Sequence, residues 1–191
     1  MNNSRKYIIL IAYLLAIGLS SVAQQVRPVY PVKPLTQEDI SRRQRIPEWG
    51  TNTRSASSAV LPEGVDNSTL KYFPPVFSQL GNSCSQASGV RYVYTYELNR
   101  LLDRAADSPE HIFNYHFTWN YLNEGNDQGS HPELGYNMMK VAGAVTLSDM
   151  NDESAATSST TWMTGYDKYL RAMNYRVKSY SKFTLKTREG I

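Results

Sequence analysis

The sequence predicts a mainly helical domain over residues 61–191. Apolar side chains recur every three or four positions after Cys84, again after Pro109, and once more from Trp162. Such spacings place the side chains on one face of an α-helix. By contrast, residues 175–180 alternate in a way that is typical of a strand. We therefore expect several helices followed by one extended segment.

The amino-terminal residues indicate an export signal. Arg5 and Lys6 precede the apolar, uncharged run 7–18, and small residues at 21–23 suit a cleavage site. This run is too short to span a bilayer comfortably. We predict a cleaved signal peptide over residues 1–23 and an exported protein, located in the periplasm, on the cell surface or outside the cell.

Residues 24–60 differ from the rest of the chain, because four prolines interrupt them and apolar periodicity is missing. We interpret this stretch as a linker or a short pro-segment. Its basic residues Arg42, Arg43 and Arg45 are either a processing site or a solvated charged stretch.

The charge balance of the mature chain argues against nucleic-acid binding. The full sequence carries 20 Lys and Arg against 17 Asp and Glu, and residues 1–23 hold two of the basic residues and none of the acidic ones. The mature protein is therefore nearly neutral, without the basic surface that nucleic acids need. The chain that remains is long enough to bury a sizeable core without disulfides.

Cys84 is the single cysteine, and it ends the run Gln79-Leu80-Gly81-Asn82-Ser83-Cys84 at the start of a helical pattern. A lone thiol in an exported chain is a small buried hydrophobe, an intermolecular linker or a nucleophile. The first turn of a helix presents unpaired N–H groups that stabilise a thiolate. The same N–H groups, with a side-chain amide such as that of Gln79, can hold an oxyanion.

These residues resemble the papain-like cysteine peptidases. The resemblance rests on Leu-Pro-x-x-Val-Asp at residues 61–66, the Pro75-Val76 step, Gln79, Ser83-Cys84, and the long helix that begins at the cysteine. It implies that Cys84 is the nucleophile and Gln79 the oxyanion-hole donor. It also implies a two-lobed α+β papain-like fold, of which residues 61–191 would be the amino-terminal, mainly helical part.

The resemblance further implies a peptide or protein substrate and no cofactor. The catalytic histidine and asparagine would lie beyond residue 191, in a β-rich carboxy-terminal lobe that would be the missing partner of this part. We therefore expect residues 1–191 by themselves to be inactive. The alternative is a catalytically inactive, secreted binding or surface protein on the papain scaffold, because Ser85 follows the thiol where the family has an aromatic residue.

None of the three histidines matches the family's base. His111 and His116 are expected on a helix that runs from a Ser108 cap to about residue 123, with structural or surface roles. His131 is expected at a loop-to-helix junction, where Ser130 and Glu133 match a capping box. The histidine spacings fit no zinc motif, so no metal is predicted. Four glycines, at positions 125, 129, 135 and 143, either line a cleft or form structural turns.

Overall fold

The computed structural model describes residues 33–49, 63–151 and 159–182. The chain divides into two compact units, Met1–Tyr30 and Pro31–Ile191, and all described residues belong to the second. The predicted signal peptide and the Leu61-Pro62 pair lie outside the described residues.

The described part is built from helices. They are α1 (Gln37–Gln44), α2 (Cys84–Gln86), α3 (Thr95–Leu101), α4 (His116–Leu122), α5 (Pro132–Ala142) and α6 (Tyr166–Ala172). A π-helical segment, Ala87–Tyr94, connects α2 to α3 without a break. We call these three consecutive pieces the composite helix. Two short 3-10 turns, Asn67–Thr69 and Met173–Tyr175, complete the elements. A mainly helical domain is what the sequence predicted.

Residues 175–180 do not form the predicted strand. The 3-10 turn ends at Tyr175, and residues 176–181 that follow have no regular structure. A strand needs a ladder of hydrogen bonds to a neighbour. Within this stretch Val177 N donates to Met139 O at 3.3 Å, and the nearest bridge among the described residues, between Glu48 and Lys182, lies beyond its end.

The helix expected over residues 108–123 begins later, at His116. The preceding residues pair with a distant segment instead, since Asn114 N donates to Val145 O at 2.8 Å and Leu147 N donates to Ile112 O at 2.9 Å. Backbone groups used in this antiparallel contact cannot also form helical hydrogen bonds. Long-range pairing therefore overrides the local helical pattern.

The main core lies between the composite helix, α4 and α5. Its buried members are Ala87, Val90, Phe113, Tyr115, Trp119, Met139 and Ala144. Burying a large apolar side chain contributes about 1.5–3 kcal/mol. This core therefore holds the composite helix firmly against α4 and α5, and with it the residue at its amino-terminal end.

Helix α1 was not predicted from the sequence. Thr36 caps it in a capping box with Asp39: Asp39 N donates to Thr36 Oγ1 at 3.1 Å, and Thr36 N donates to Asp39 Oδ2 at 3.0 Å. This helix contacts the start of α5 through Arg43 and Glu133. Among the described residues, no helix is both long and apolar enough to cross a membrane.

Candidate functional site

The turn ahead of Cys84 is fixed by contacts with residues far along the chain. Gly81 has a φ of +54°, and a Cβ atom there would collide with the Asp127 carboxylate. Asn82 N donates to Asp127 Oδ1 at 3.0 Å, and Leu80 N donates to Tyr115 Oη at 3.0 Å. A glycine is therefore required at this turn both for its backbone conformation and for space.

Ser83 and Cys84 begin the composite helix. The Ser83 side chain is buried and its Oγ donates to Leu80 O at 2.7 Å, while its carbonyl accepts from Gln86 N and Ala87 N at 2.9 Å each. Cys84 is the first helical residue, and its free thiol is exposed. This is the position that the sequence predicted, and exposure leaves the thiol accessible to a reactant.

Gln79 lies on the same turn as the thiol. Its side chain is exposed, and Nε2 donates to Gly81 O at 3.4 Å, a long hydrogen bond that restrains the amide weakly. The amide group carries two N–H donors. The turn thus brings a side-chain donor and the exposed thiol into one short stretch of surface.

Residues 128–131 run alongside the first turn of the composite helix. Trp119 Nε1 donates to Gln128 O at 2.9 Å, which holds this segment at its start. Ser85 Oγ donates to Ser130 O at 2.5 Å, directly after the cysteine. We call residues 128–131 the wall segment. Its hydrogen bonds connect it to α4 on one side and to the cysteine-bearing turn on the other.

The four glycines considered as cleft residues occupy different places. Gly129 belongs to the wall segment, whereas Gly135 lies on α5 against the Gln86 side chain. Gly143 follows the last residue of α5 with a φ of +82°. Gly125 also has a positive φ, and the space around its Cβ position is open. Only Gly129 is therefore part of the segment beside the thiol turn.

His131 precedes α5, so the expected loop-to-helix junction is present. The expected capping box is absent, because Glu133 pairs with Arg43 and does not reach back to Ser130. The ring of His131 is buried, with Nδ1 at 3.2 Å from Arg43 Nη2. His111 is partly buried, and its Nδ1 donates to Ala105 O at 2.9 Å.

His116 is a core residue. Its ring packs against Tyr115 and Trp119, and its Nδ1 lies 3.1 Å from Asn120 Oδ1. Burial lowers the pKa of His116, because the imidazolium loses its hydration, while the contact with Asn120 opposes this shift. In the described part of the chain, no three His, Cys, Asp or Glu side chains form a group suited to a metal ion.

Sequence reasoning missed the contacts that attach the cysteine turn to the wall segment. Gln86 and Ser85 belong to the first turn of the helix, and their partner Ser130 lies about 45 positions later. Asp127, whose carboxylate accepts a hydrogen bond from Asn82 N, was also missed because it lies 45 positions after its partner. A local motif does not indicate hydrogen bonds between residues so far apart in sequence. The signals that could have pointed to them are the nearby glycines, Gly81 and Gly129.

Comparison with known proteins identifies the fold. No protein-family model matches the chain, and no similar sequence was found among curated proteins. Among solved structures, the fold resembles that of xylellain, a cysteine protease from Xylella fastidiosa, with a TM-score of 0.51 and 16% sequence identity. The match covers 81% of this chain and 57% of xylellain. The resemblance to papain-like cysteine peptidases is thus confirmed at the level of the fold.

Proposed function

We propose that this chain is the amino-terminal part of an exported cysteine-type peptidase, with Cys84 as its nucleophile. The observation that carries the proposal is an exposed, free thiol at the first residue of the composite helix in a papain-like fold. Nucleophilic cysteines are partly exposed and sit in environments that favour the thiolate. The start of a helix is such an environment.

In the proposed reaction, a histidine takes the proton of the Cys84 thiol. The sulfur attacks the carbonyl carbon of a peptide bond and forms a C–S bond, while the π electron pair of the carbonyl moves to its oxygen. The Gln79 amide and a backbone N–H of the first helical turn donate to the oxyanion that develops. Collapse of this intermediate breaks the C–N bond and releases an amine, which takes a proton from a histidine. Water then hydrolyses the thioester and restores the thiol.

The histidine and an asparagine that orients it are proposed to lie beyond residue 191, in a second, β-rich lobe. This chain spans 57% of the length of xylellain, which leaves room in such a fold for further structure. The proposal does not use the three histidines described above as the base: His116 is a core residue, His111 lies beside Ala105, and the buried ring of His131 has its Nδ1 3.2 Å from Arg43 Nη2. Residues 1–191 alone are accordingly proposed to be inactive.

The substrate in this proposal is an extended peptide that lies along the wall segment, and no cofactor takes part. Ser130 and His131 flank the cysteine turn, but they are buried and their carbonyl groups accept from Ser85 and Gln86. The half-buried Gly129 is the part of the wall segment whose backbone can pair with an extended chain. Export places the substrate in the periplasm, on the cell surface or outside the cell.

A second candidate is an inactive binding or surface protein on the same scaffold. The observation in its favour is Ser85, which follows the thiol and uses its hydroxyl to hold Ser130 O. A binding protein would keep the fold, bind peptides and leave Cys84 unreactive.

Labelling with a thiol-directed epoxide inhibitor tests the proposal. In the full-length protein at neutral pH, we expect Cys84 to react at least about a hundredfold faster than free cysteine, since a positioned nucleophile gains orders of magnitude in rate. Peptide hydrolysis should be lost in Cys84→Ala and reduced by about 10²–10³-fold in Gln79→Ala, the usual cost of one oxyanion donor. Labelling no faster than free cysteine, together with unchanged hydrolysis in Cys84→Ala, would contradict the proposal.

A further inference from the structure

Gln86 is a wholly buried polar residue two positions after Cys84. Its Nε2 donates to Ser130 Oγ at 3.0 Å and to His131 O at 2.9 Å. A backbone carbonyl can only accept a hydrogen bond, so the contact with His131 fixes which end of the amide points toward the wall segment. Both N–H donors of the amide therefore serve to connect the first turn of the composite helix to residues 130–131.

This arrangement leaves the other end of the amide unsatisfied. Gln86 Oε1 is buried and has no hydrogen-bond partner among the described residues. It occupies space that exists only because residue 135 of α5 is a glycine, since a Cβ atom there would collide with it. A buried acceptor without a partner is destabilising, whereas a leucine of similar volume would remove that acceptor together with the two hydrogen bonds that Nε2 donates. The unpaired acceptor therefore offsets part of what the two hydrogen bonds contribute to stability.

The composite helix and α5 have a second hydrogen-bond contact besides those of Gln86. One turn further along, Tyr136 Oη donates to Gly89 O at 3.1 Å, and the apolar core lies beyond. What the glutamine adds is local, because its two hydrogen bonds act on the turn that carries the thiol and on the segment beside it. A buried polar group with an unpaired acceptor at such a place is typical of a functional site.

We propose that Gln86 is a positioning residue, which sets the distance between the Cys84 thiol and the wall segment. The inference rests on the proposed peptidase function. A peptide held along Gly129 of the wall segment meets the thiol at the correct distance only if the two segments keep their relative position. Small displacements of a nucleophile from its substrate are costly, and an error of about 1 Å can lower the rate by about 10²-fold.

The first test compares two variants of the full-length protein. Gln86→Leu removes the two hydrogen bonds to residues 130–131 near the thiol together with the unpaired Oε1, and Tyr136→Phe removes the single hydrogen bond to Gly89 O. We expect Gln86→Leu to lower kcat/KM for a peptide by about 10²-fold, mainly in kcat, with an unfolding midpoint that changes little. Tyr136→Phe should lower the midpoint and change kcat/KM by less than about threefold.

Alkylation by iodoacetamide separates positioning from a general loss of the thiol's reactivity. This small reagent does not use the wall segment, so its rate with Cys84, and the pH profile of that rate, should be the same in Gln86→Leu and the wild type. Peptide turnover should fall nonetheless. If iodoacetamide reactivity falls in parallel with kcat, or if Tyr136→Phe loses as much activity as Gln86→Leu, the inference is wrong.

Gly135→Ala provides a second route to the same change, in case Gln86→Leu disturbs folding. The added methyl group should displace the Gln86 amide and reproduce the loss in kcat/KM. In a Gln86→Ala background the space is vacant, so Gly135→Ala should add less than about a twofold loss, a non-additive result expected for contacting residues. Additive losses would overturn the inference. A wild type that neither cleaves peptides nor labels at Cys84 overturns the proposed function and this inference with it, whereas an active wild type with unimpaired Gln86→Leu overturns the inference alone.

Discussion

Arg43 in α1 forms an ion pair with Glu133 in the first turn of α5. The Glu133 side chain is only 11% exposed, and Arg43 Nη2 also lies 3.2 Å from His131 Nδ1. Nearby, Trp49 N donates to Lys182 O and Lys182 N donates to Pro47 O, both at 2.9 Å. Part of the stretch that the sequence suggested to be a linker or pro-segment therefore packs against the domain. The predicted domain boundaries themselves stay predictions.

Replacing Arg43 should destabilise the fold, because Glu133 would keep its buried charge without a partner. For Arg43→Met we expect a loss of about 1–3 kcal/mol in the free energy of unfolding, below the full cost of breaking a buried pair since Arg43 is itself partly exposed. Urea denaturation of the full-length protein measures it. Arg42→Met is the matched control, because among the described residues the ion pairs of Arg42 are those with Glu38 and Asp39 in α1, and such pairs contribute about 0.3–0.5 kcal/mol. Equal losses of unfolding free energy in the two variants would show that the Arg43–Glu133 pair stabilises the fold no more than an ion pair within α1.

The same contacts bear on the processing of the protein. A protease needs an extended, accessible backbone, whereas Arg42 and Arg43 are helical and Arg43 is bound to α5. Under the proposed export, we expect the mature protein to keep α1 and to begin at Gln24. Amino-terminal sequencing of the mature protein measures this, and a first residue between positions 43 and 46 would favour the processing site over the solvated charged stretch.

Gly81→Ala should be more destabilising than the same change at Gly125. Both glycines have positive φ, +54° and +76°, but only Gly81 has neighbours that a Cβ atom would meet, namely Asp127 and Trp119. For an alanine, the left-handed backbone conformation alone costs about 1–2 kcal/mol. At Gly81 the contact of the added methyl group with its neighbours adds about 1–3 kcal/mol. Chemical denaturation of both variants separates the two terms. If Gly125→Ala loses as much stability as Gly81→Ala, the close contact with Asp127 does not constrain the turn.

The part of the site that could be predicted from the sequence is the part encoded locally. Glycine, a small polar residue and an apolar stripe in succession placed Cys84 at the start of a helix, and the structure confirms that position. The helix after Pro132 depends on a similar short-range signal, since the proline occupies its first turn. In both cases the residues that decide the structure are neighbours in the chain.

The features that could not be predicted depend on residues far apart in sequence. The helix around His116 is shorter than its pattern suggests, because Asn114 pairs with Val145. Helix α1 has too few apolar residues to be recognised, and its partner Glu133 lies 90 positions away. Gln86 appears as an ordinary helical residue until its contact with His131 is seen. Tertiary hydrogen bonds and ion pairs decide these cases, and they leave no periodic pattern.

His116 should make the protein less stable as the pH falls below about 6.5, the ordinary value for a histidine. Burial lowers the pKa of His116 in the folded state, so the unfolded chain takes up the proton first when the pH decreases. The stabilisation by the neutral ring is fully present above pH 6.5 and is lost at up to about 1.4 kcal/mol per pH unit on going down toward the folded-state pKa. In His116→Gln this contribution to the slope should disappear, although the variant itself is less stable at neutral pH. Urea unfolding between pH 7.5 and 5 measures the slope in the wild type and in His116→Gln. A slope that is the same in the wild type and His116→Gln would mean that the buried ring does not resist protonation.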